Sequence, residues 1–170
     1  MSEPERTPDG RFLVVAGRRW RASDPAIPES LRTELVAELM AARRAVRAAA
    51  GDEAASCSAR RRVHDAKVAL GERGEPWWEP PSENGVRERL TAAVSTLLRH
   101  RRPESTICPS DAARVVGGTA WRDLMDTARA VAAELAAQGL VEVRQRGRSV
   151  DPASTPGALR LGRGPAWPDD

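Results

Sequence analysis

The segment best suited to chemistry is a basic stretch near the C-terminal end of the chain, Arg144-Gln145-Arg146-Gly147-Arg148. Three Arg side chains around a tight turn between two strands have the shape and charge to reach phosphates or a minor groove. The alternative is an ordinary hairpin tip whose charges are solvated. We expect this stretch to contact nucleic acid, and the sequence leaves the solvated alternative open.

Two further Arg residues, Arg122 and Arg129, are expected to face outward near the start of a helix that enters the major groove. Arg122 would contact a base edge or a phosphate. Asp123 and Asp126 oppose such contacts, because phosphates repel carboxylates and only cytosine offers a major-groove donor to a carboxylate. The predicted nucleic-acid-binding residues are Arg122, Arg129, Arg144, Arg146 and Arg148.

The cysteines and histidines do not fall into a recognised metal-binding or catalytic pattern. Cys57 and His64 are seven residues apart, His100 is isolated, and no second close pair completes a zinc site. Cys108 is expected to cap a helix, where the dipole favours a thiolate, but a buried capping Cys is the more common outcome. Gly-rich phosphate loops and nucleophile elbows are missing as well. We expect no enzyme activity, no cofactor and no metal.

The positive charge is concentrated in the second half of the chain. The 170 residues carry a formal net charge of +3. Residues 1–83 have 14 basic and 14 acidic groups, whereas residues 84–170 have 13 basic and 10 acidic groups, so the surplus lies entirely in the second half. A basic surplus on one domain is typical of polyanion binding, although many proteins with neutral partners have one of this size.

No segment resembles a targeting or membrane sequence. The first ten residues are polar and acidic, without the apolar core of a signal peptide. No apolar run reaches the length that spans a bilayer, and two Cys do not make the disulfide framework of a small secreted protein. We expect a cytoplasmic protein without membrane contact.

The N-terminal half is predicted to combine a β-hairpin with a pair of helices. An apolar strand-like run at 12–16 is followed by a second strand around Trp20. Trp20 is expected to be half buried with Arg on the solvent face, although its Arg neighbours would also suit base stacking. Pro28 opens a helix, and a second helix at about 53–70 is expected to pack antiparallel against it.

Two Arg clusters lie on these helices, Arg43-Arg44 on the first and Arg60-Arg61-Arg62 on the second. In an antiparallel pair both clusters would point the same way and form one basic face. The more ordinary arrangement pairs each exposed Arg with a nearby Glu or Asp. The sequence does not decide between the two.

The C-terminal half is predicted to contain three helices followed by a hairpin. Apolar residues recur at helical spacing from Val86 onward, and Pro109 suits the first position of a second helix. The expected elements are helices at 86–99, 109–116 and 121–138, a one-bond strand at 106–107, and strands at 140–143, 149–150 and 159–161. This order predicts a winged helix-turn-helix, in which the hairpin is the wing.

The predicted fold class is therefore α+β and mainly helical, with an N-terminal β-hairpin and helical pair and a C-terminal winged helix-turn-helix. Gly, Pro and charge concentrate around Trp77-Trp78, as is typical of a domain boundary, and we expect this pair to pin the linker to one domain or both. The predicted divisions are a disordered tail at 1–10, a hairpin and two-helix domain at 11–79, a linker at 80–85, a winged-helix domain at 86–163 and a tail at 164–170.

Several residues of the C-terminal half carry a resemblance to a known family. They are Cys108-Pro109-Ser110, Trp121-Arg122 with Leu124-Met125, Arg129, the helix end from Leu135 to Gly139, and Gly147 with Val150-Asp151-Pro152. As a set, they make residues 86–163 resemble an uncharacterised bacterial winged-helix family, domain-of-unknown-function family 3253. The resemblance implies the fold and supplies neither an activity nor a site.

The N-terminal half resembles a short actinobacterial family through the stretches GRRWRASDPAIPESLRTELVAELMAARRAV and AKVALGERGEPWW. Members of that family often carry the label "biopolymer transporter Tol". The sequence gives the label no support, because we find no membrane anchor in it. This resemblance also supplies no site.

Together these features lead us to expect a nucleic-acid-binding protein, with DNA as its target and transcriptional regulation as its role. The basic wing would contact the backbone. The alternative is a protein-protein interaction module built on a winged helix, with a protein partner and no nucleic-acid role. Asp123, Asp126 and the neutral N-terminal half favour that alternative.

Overall fold

A computed structural model describes residues 4–168. These residues form the predicted mainly helical α+β fold, with two small antiparallel sheets. The helices are α1 (Glu29–Ala48), α2 (Glu53–Ala69), α3 (Glu83–His100), α4 (Pro109–Gly117) and α5 (Met125–Ala137), with a 3₁₀ segment (Gly118–Leu124) between the last two. The first sheet contains β1 (Glu5–Arg6), β2 (Phe12–Val15) and β3 (Arg18–Arg21), and the second contains β4 (Val141–Gln145), β5 (Arg148–Ser149) and β6 (Arg160–Arg163). None of the helices in this part of the chain is long and apolar enough to cross a membrane.

The first sheet starts inside the segment that we expected to be a disordered tail. β1 pairs antiparallel with β2 and places Glu5 opposite Val14. The predicted tail at 1–10 is therefore wrong at β1, because backbone hydrogen bonds order a segment whose side chains are polar. Residues 1–3 of the predicted tail lie outside the described residues.

Helices α1 and α2 form the expected antiparallel pair. Leu31, Leu35 and Leu39 recur on the buried side of α1 at helical spacing. The buried residues of α2 include Ala59 and Ala66, whose small side chains let the two helices approach closely. The two segments are therefore stabilised as helices both by their own helix propensity and by the packing of their apolar faces against each other.

The segment that follows α2 is pinned to the first sheet. The indole Nε1 of Trp77 donates a hydrogen bond to the carbonyl of Ala22 at 3.0 Å. Trp78 meets Phe12 edge to face, with ring centroids 5.5 Å apart. The two Trp residues therefore hold this segment against the N-terminal sheet, which is one of the two arrangements that we expected.

Helix α3 begins three residues before Val86, within the predicted linker at 80–85. Ser82 caps the helix by accepting a hydrogen bond from the amide of Gly85 at 3.0 Å. The Ser82 hydroxyl and amide in turn donate to Glu75, and these two hydrogen bonds hold the pKa of the Glu75 carboxyl below its usual range. The cap extends the helix beyond the start that apolar spacing alone indicated.

One hydrophobic core joins the two halves of the chain. α3 is its central element and packs against α1, α2, α4 and α5. Leu90 and Leu97 of α3 are fully buried, together with Leu35 of α1 and Leu161 of β6. The division into two domains stays a prediction, but the apolar surface of the N-terminal helices is covered by the C-terminal half.

The predicted third helix, 121–138, is split in the structure. Its first part is the 3₁₀ segment, and the α-helix begins at Met125. The backbone at Gly118 has a φ of +53°, and a Cβ there would lie 3.1 Å from the backbone oxygen of Ala26. The regular helix of α4 ends at this close approach, and the backbone at Ala120 is not helical. The helix α5 therefore begins only at Met125.

The second sheet contains the expected one-bond strand. Ile107 donates a hydrogen bond to Leu161 at 2.9 Å and accepts one from the same residue at 2.8 Å. β6 runs antiparallel to β4 and places Leu161 opposite Val143. The side chains of Ile107, Val143 and Leu161 are all buried. The isolated bridge therefore ties the loop before α4 to the sheet.

The expected C-terminal tail, 164–170, continues the fold for at least four residues. The amide of Gly164 donates to Leu140 at 3.0 Å, and the amide of Ala166 donates to Gly139 at 2.9 Å. Trp167 packs against the core. The tail prediction is wrong for this stretch, because apolar and backbone contacts dock it at the end of α5, and residues 169–170 lie outside the described residues.

Arg89 joins three segments of the structure in a largely buried site. Its Nη2 atom lies 2.8 Å from Oδ2 of Asp24, which is 5% exposed. The same guanidinium donates to the carbonyl of Ala69 at the end of α2 and to that of Val115 in α4. Because α3 supplies Arg89, one side chain connects the N-terminal loop, α2 and α4.

We expect Arg89→Met to lower the free energy of unfolding by about 3–5 kcal/mol, because it leaves the Asp24 carboxylate buried without its counter-charge. Arg32→Met is the control, since Arg32 pairs with an exposed Glu29 and should contribute less than about 1 kcal/mol. Urea unfolding followed by circular dichroism measures both. Equal losses in the two variants would contradict the central role of Arg89.

Candidate nucleic-acid interface

The β4–β5 hairpin presents the basic turn that the sequence singled out. Gln145 pairs with Arg148 across the turn, and the two central residues, Arg146 and Gly147, have φ values of +50° and +78°. Positive φ at both central positions is the signature of a type I′ turn, whose twist matches that of the flanking strands. Arg146 and Arg148 are exposed, and within residues 4–168 neither has a hydrogen-bonding or ion-pair partner for its side chain.

Arg144 differs from the two Arg residues at the turn because it already has an anionic partner. Its Nε atom donates to Glu142, two residues earlier on the same strand, at 3.0 Å. This hydrogen bond and the adjacent negative charge raise the pKa of the Arg144 guanidinium above its usual value. Arg144 is thus placed with Arg146 and Arg148 on one hairpin, but its charge is partly neutralised.

Arg160 is a neighbour of this hairpin that our sequence analysis missed. The β4–β6 register places it directly opposite Arg144, an arrangement in which like charges repel. Arg160 is exposed and donates a hydrogen bond to Sγ of Cys108 at 2.9 Å. The alternation of Leu159 and Leu161 as inward residues was the available signal, since it turns Arg160 outward.

Arg129 makes structural contacts rather than facing freely outward. Its guanidinium donates to the carbonyls of Gly157 at 3.0 Å and Pro152 at 3.3 Å, and also to that of Thr155. These three carbonyls belong to the loop that connects β5 to β6. Arg129 therefore fixes that loop on α5, and the predicted contact of Arg129 with nucleic acid would require these hydrogen bonds to break.

Arg122 lies on the 3₁₀ segment rather than on the predicted helix. Its guanidinium carbon is 4.5 Å from the ring centroid of Trp121, and that of Arg114 in α4 is 4.6 Å from the same centroid. Trp121 is half buried against the core, whereas both Arg residues are exposed. Arg114, which we did not predict, thus joins Arg122 in a second basic cluster near the turn between α4 and α5.

Asp123 and Asp126 keep the acidic character that the sequence indicated. Both are exposed, and within the described residues neither forms an ion pair. The 3₁₀ segment and the first turn of α5 therefore present unneutralised carboxylates next to Arg122. This charge pattern favours backbone contact through the hairpin over base reading by α5.

Cys108 has the capping position that we predicted. Pro109 occupies the first position of α4, and the amide of Cys108 donates to the carboxylate of Asp111 at 3.0 Å. The thiol is free and half buried. Across residues 4–168, no cluster of three or more His, Cys, Asp or Glu side chains is arranged to hold a metal ion.

Comparison with known proteins relates the C-terminal half to a family. Residues 87–164 match the model of a family described as "Protein of unknown function (DUF3253)". The match covers nearly all of the predicted domain at 86–163, so the predicted similarity of that half is confirmed. No curated protein matches the chain. The resemblance of the N-terminal half to a second family stays a prediction.

We expect Arg129→Met to destabilise the loop between β5 and β6, because its three carbonyls lose a charged donor. The expected loss is roughly 1–2 kcal/mol of unfolding free energy, with faster amide hydrogen exchange at 151–158. Arg122→Met should change stability by less than about 0.5 kcal/mol. Unchanged exchange in the Arg129 variant would contradict this structural role.

Proposed function

We propose that residues 86–163 form a winged helix-turn-helix that binds duplex DNA through its phosphate backbone. In this arrangement α3, α4 and α5 are the three helices, Ile107 supplies the short first strand, and the β4–β5 hairpin is the wing. The bridge between Ile107 and Leu161 supports this assignment, because it completes the small sheet from which a wing extends.

The observation that carries the proposal is the pair of unpartnered guanidinium groups on the wing. Arg146 is a central residue of the type I′ turn and Arg148 directly follows the turn, and neither pairs with a carboxylate within residues 4–168. Each Arg that contacts a phosphate releases condensed counterions, which is the main source of sequence-independent affinity. Arg144 and Arg160 oppose each other in register, but they are less available to a phosphate, because Arg144 pairs with Glu142 and Arg160 donates to Thr106 and Cys108.

The proposed binding does not depend on base sequence. Asp123 and Asp126 repel phosphates where a conventional reading helix would approach the groove. Arg122 and Arg114 lie beside this acidic stretch and are suited to flank the duplex as backbone contacts. The wing thus provides the affinity, and a role in transcriptional regulation would need its specificity from DNA shape or from a partner.

The exposed carboxylates suit a second function, in which this half of the chain binds another protein. Asp123 and Asp126 would pair with a basic surface of a protein partner, and the wing would then take no part. That function predicts no duplex binding even at low salt. A measurement of duplex binding at low salt therefore distinguishes DNA binding from this second function.

We expect Arg146→Gln with Arg148→Gln to weaken the binding of duplex DNA on all sequences alike. The slope of log K against log salt should become shallower by about two, roughly one for each phosphate contact. Fluorescence anisotropy with labelled duplexes of unrelated sequence, between about 50 and 200 mM salt, measures this slope. The matched control is Arg44→Gln with Arg61→Gln, which removes the same charge from exposed positions on α1 and α2.

Two results would count against the proposal. Binding that does not respond to salt would exclude backbone contact as its source. An equal loss in the control variant would show that only the net charge of the protein matters and that the wing has no special part.

A further inference from the structure

The groove between α1 and α2 is lined by Arg and Val side chains. Its lining residues are Arg43, Val46 and Arg47 of α1, Arg60 and Val63 of α2, and Arg73. We call it the α1–α2 groove. No carboxylate lines it, and all four of its Arg residues are exposed. One member of each predicted Arg cluster, Arg43 and Arg60, lines the groove, whereas Arg62 pairs with Glu38 as in the ordinary arrangement.

Four of the five acidic residues of these two helices pair with Arg residues outside the groove, and the fifth, Glu53, is exposed at the start of α2. Glu29 pairs with Arg32, Glu34 with Arg101, Glu38 with Arg62 and Asp65 with Arg99. Within residues 4–168, no ion pair involves a groove Arg, although Arg43 approaches Sδ of Met40 and Arg73 donates to Nδ1 of His64 at 3.1 Å. The N-terminal half is neutral in sequence, but the Arg residues that line the groove have no carboxylate partner within residues 4–168.

An exposed aromatic ring lies beyond the end of the groove that Arg73 lines. Lys67 lies one turn beyond His64 on α2; its Nζ pairs with Glu72 at 3.6 Å and is 5.5 Å from the ring centroid of Trp20. The guanidinium carbon of Arg18 is 5.2 Å from the same centroid. Trp20 is 45% exposed, in agreement with the half-buried position that we expected.

The exposure of Trp20 follows from the register of the first sheet. Phe12 faces Trp78, which covers that side of the sheet. Trp20 pairs with Leu13 and therefore lies on the opposite face, next to Val15, which is 48% exposed. The exposed part of the Trp20 ring is thus directed towards solvent.

We propose that the α1–α2 groove and Trp20 form a binding site for single-stranded DNA. Arg43, Arg47 and Arg60 contact successive phosphates, and Trp20 stacks on an unpaired base. A basic channel that follows the backbone, combined with an aromatic platform, is the general design of single-strand binding. This site is separate from the wing and does not depend on the function proposed for it.

Two features of the site select this ligand over related ones. Bases in a duplex are already stacked on their neighbours, so the ring of Trp20 fits only an unpaired base. The Arg side chains of the groove offer N–H donors to phosphates, and the methyl groups of Val46 and Val63 pack more favourably on a deoxyribose than on the 2′-hydroxyl of a ribose. An acidic peptide would match the Arg residues but would leave the exposed indole without a role.

The test measures anisotropy of a labelled oligothymidine of about 12 nucleotides with the full chain at about 50 mM salt. We expect Arg43→Gln with Arg47→Gln to weaken binding by about ten-fold, and Trp20→Leu to weaken it by about ten-fold, whereas Trp20→Phe stays within about three-fold of the original protein. Arg44→Gln with Arg61→Gln is the charge-matched control and should stay within about two-fold. Circular dichroism checks that each variant is folded.

The proposals for the wing and for the α1–α2 groove can be overturned independently of each other. The groove variants should retain duplex binding, and Arg146→Gln with Arg148→Gln should retain oligothymidine binding. Equal affinity in the Trp20→Leu and original proteins, tighter binding of an oligouridine of the same length, or equal competition by a polyglutamate peptide would each overturn the single-strand proposal. Loss of duplex binding with oligothymidine binding retained would leave the single-strand proposal supported.

Discussion

The fold depends on a buried cation that belongs to its central helix. Arg89 extends from α3 to the Asp24 carboxylate and to carbonyls at the end of α2 and in α4. A charge of this kind is costly to bury unless every partner is in place. Its contacts therefore require the N-terminal loop, the helical pair and the C-terminal helices to be assembled together around α3. The shared hydrophobic core imposes the same condition through apolar contacts.

Ion pairing inside the fold also explains which charges remain exposed without a partner. Acidic side chains of α1 and α2 are used by Arg residues such as Arg62, Arg99 and Arg101, which bind the helices to one another and to α3 and the loop that follows it. The cations without a carboxylate partner within residues 4–168 include Arg146 and Arg148 of the β4–β5 hairpin and the four Arg residues of the α1–α2 groove. A chain with a small net charge can therefore have two strongly basic surfaces, because folding separates paired from unpaired charges.

Much of the secondary structure could be predicted from local patterns. The apolar spacing of α3, the end of α2 before Gly71, the Pro109 start of α4 and the single bridge at Ile107 all agree with the expectations. These signals depend on residues within a turn or two of one another. The 3₁₀ segment was missed because its cause is a close approach to Ala26, which is distant in sequence.

Periodicity and turn chemistry are local properties, so the α+β class, the order of the elements and the basic turn at Arg146-Gly147 follow directly from the order of the residues. Which charges remain available depends on the folded chain. Folding places three carbonyls around Arg129 and brings Arg residues of two helices into one groove. The physical reason is that the partner of a charge or a ring is set by distances across the fold, and side chains far apart in sequence compete for the same contacts.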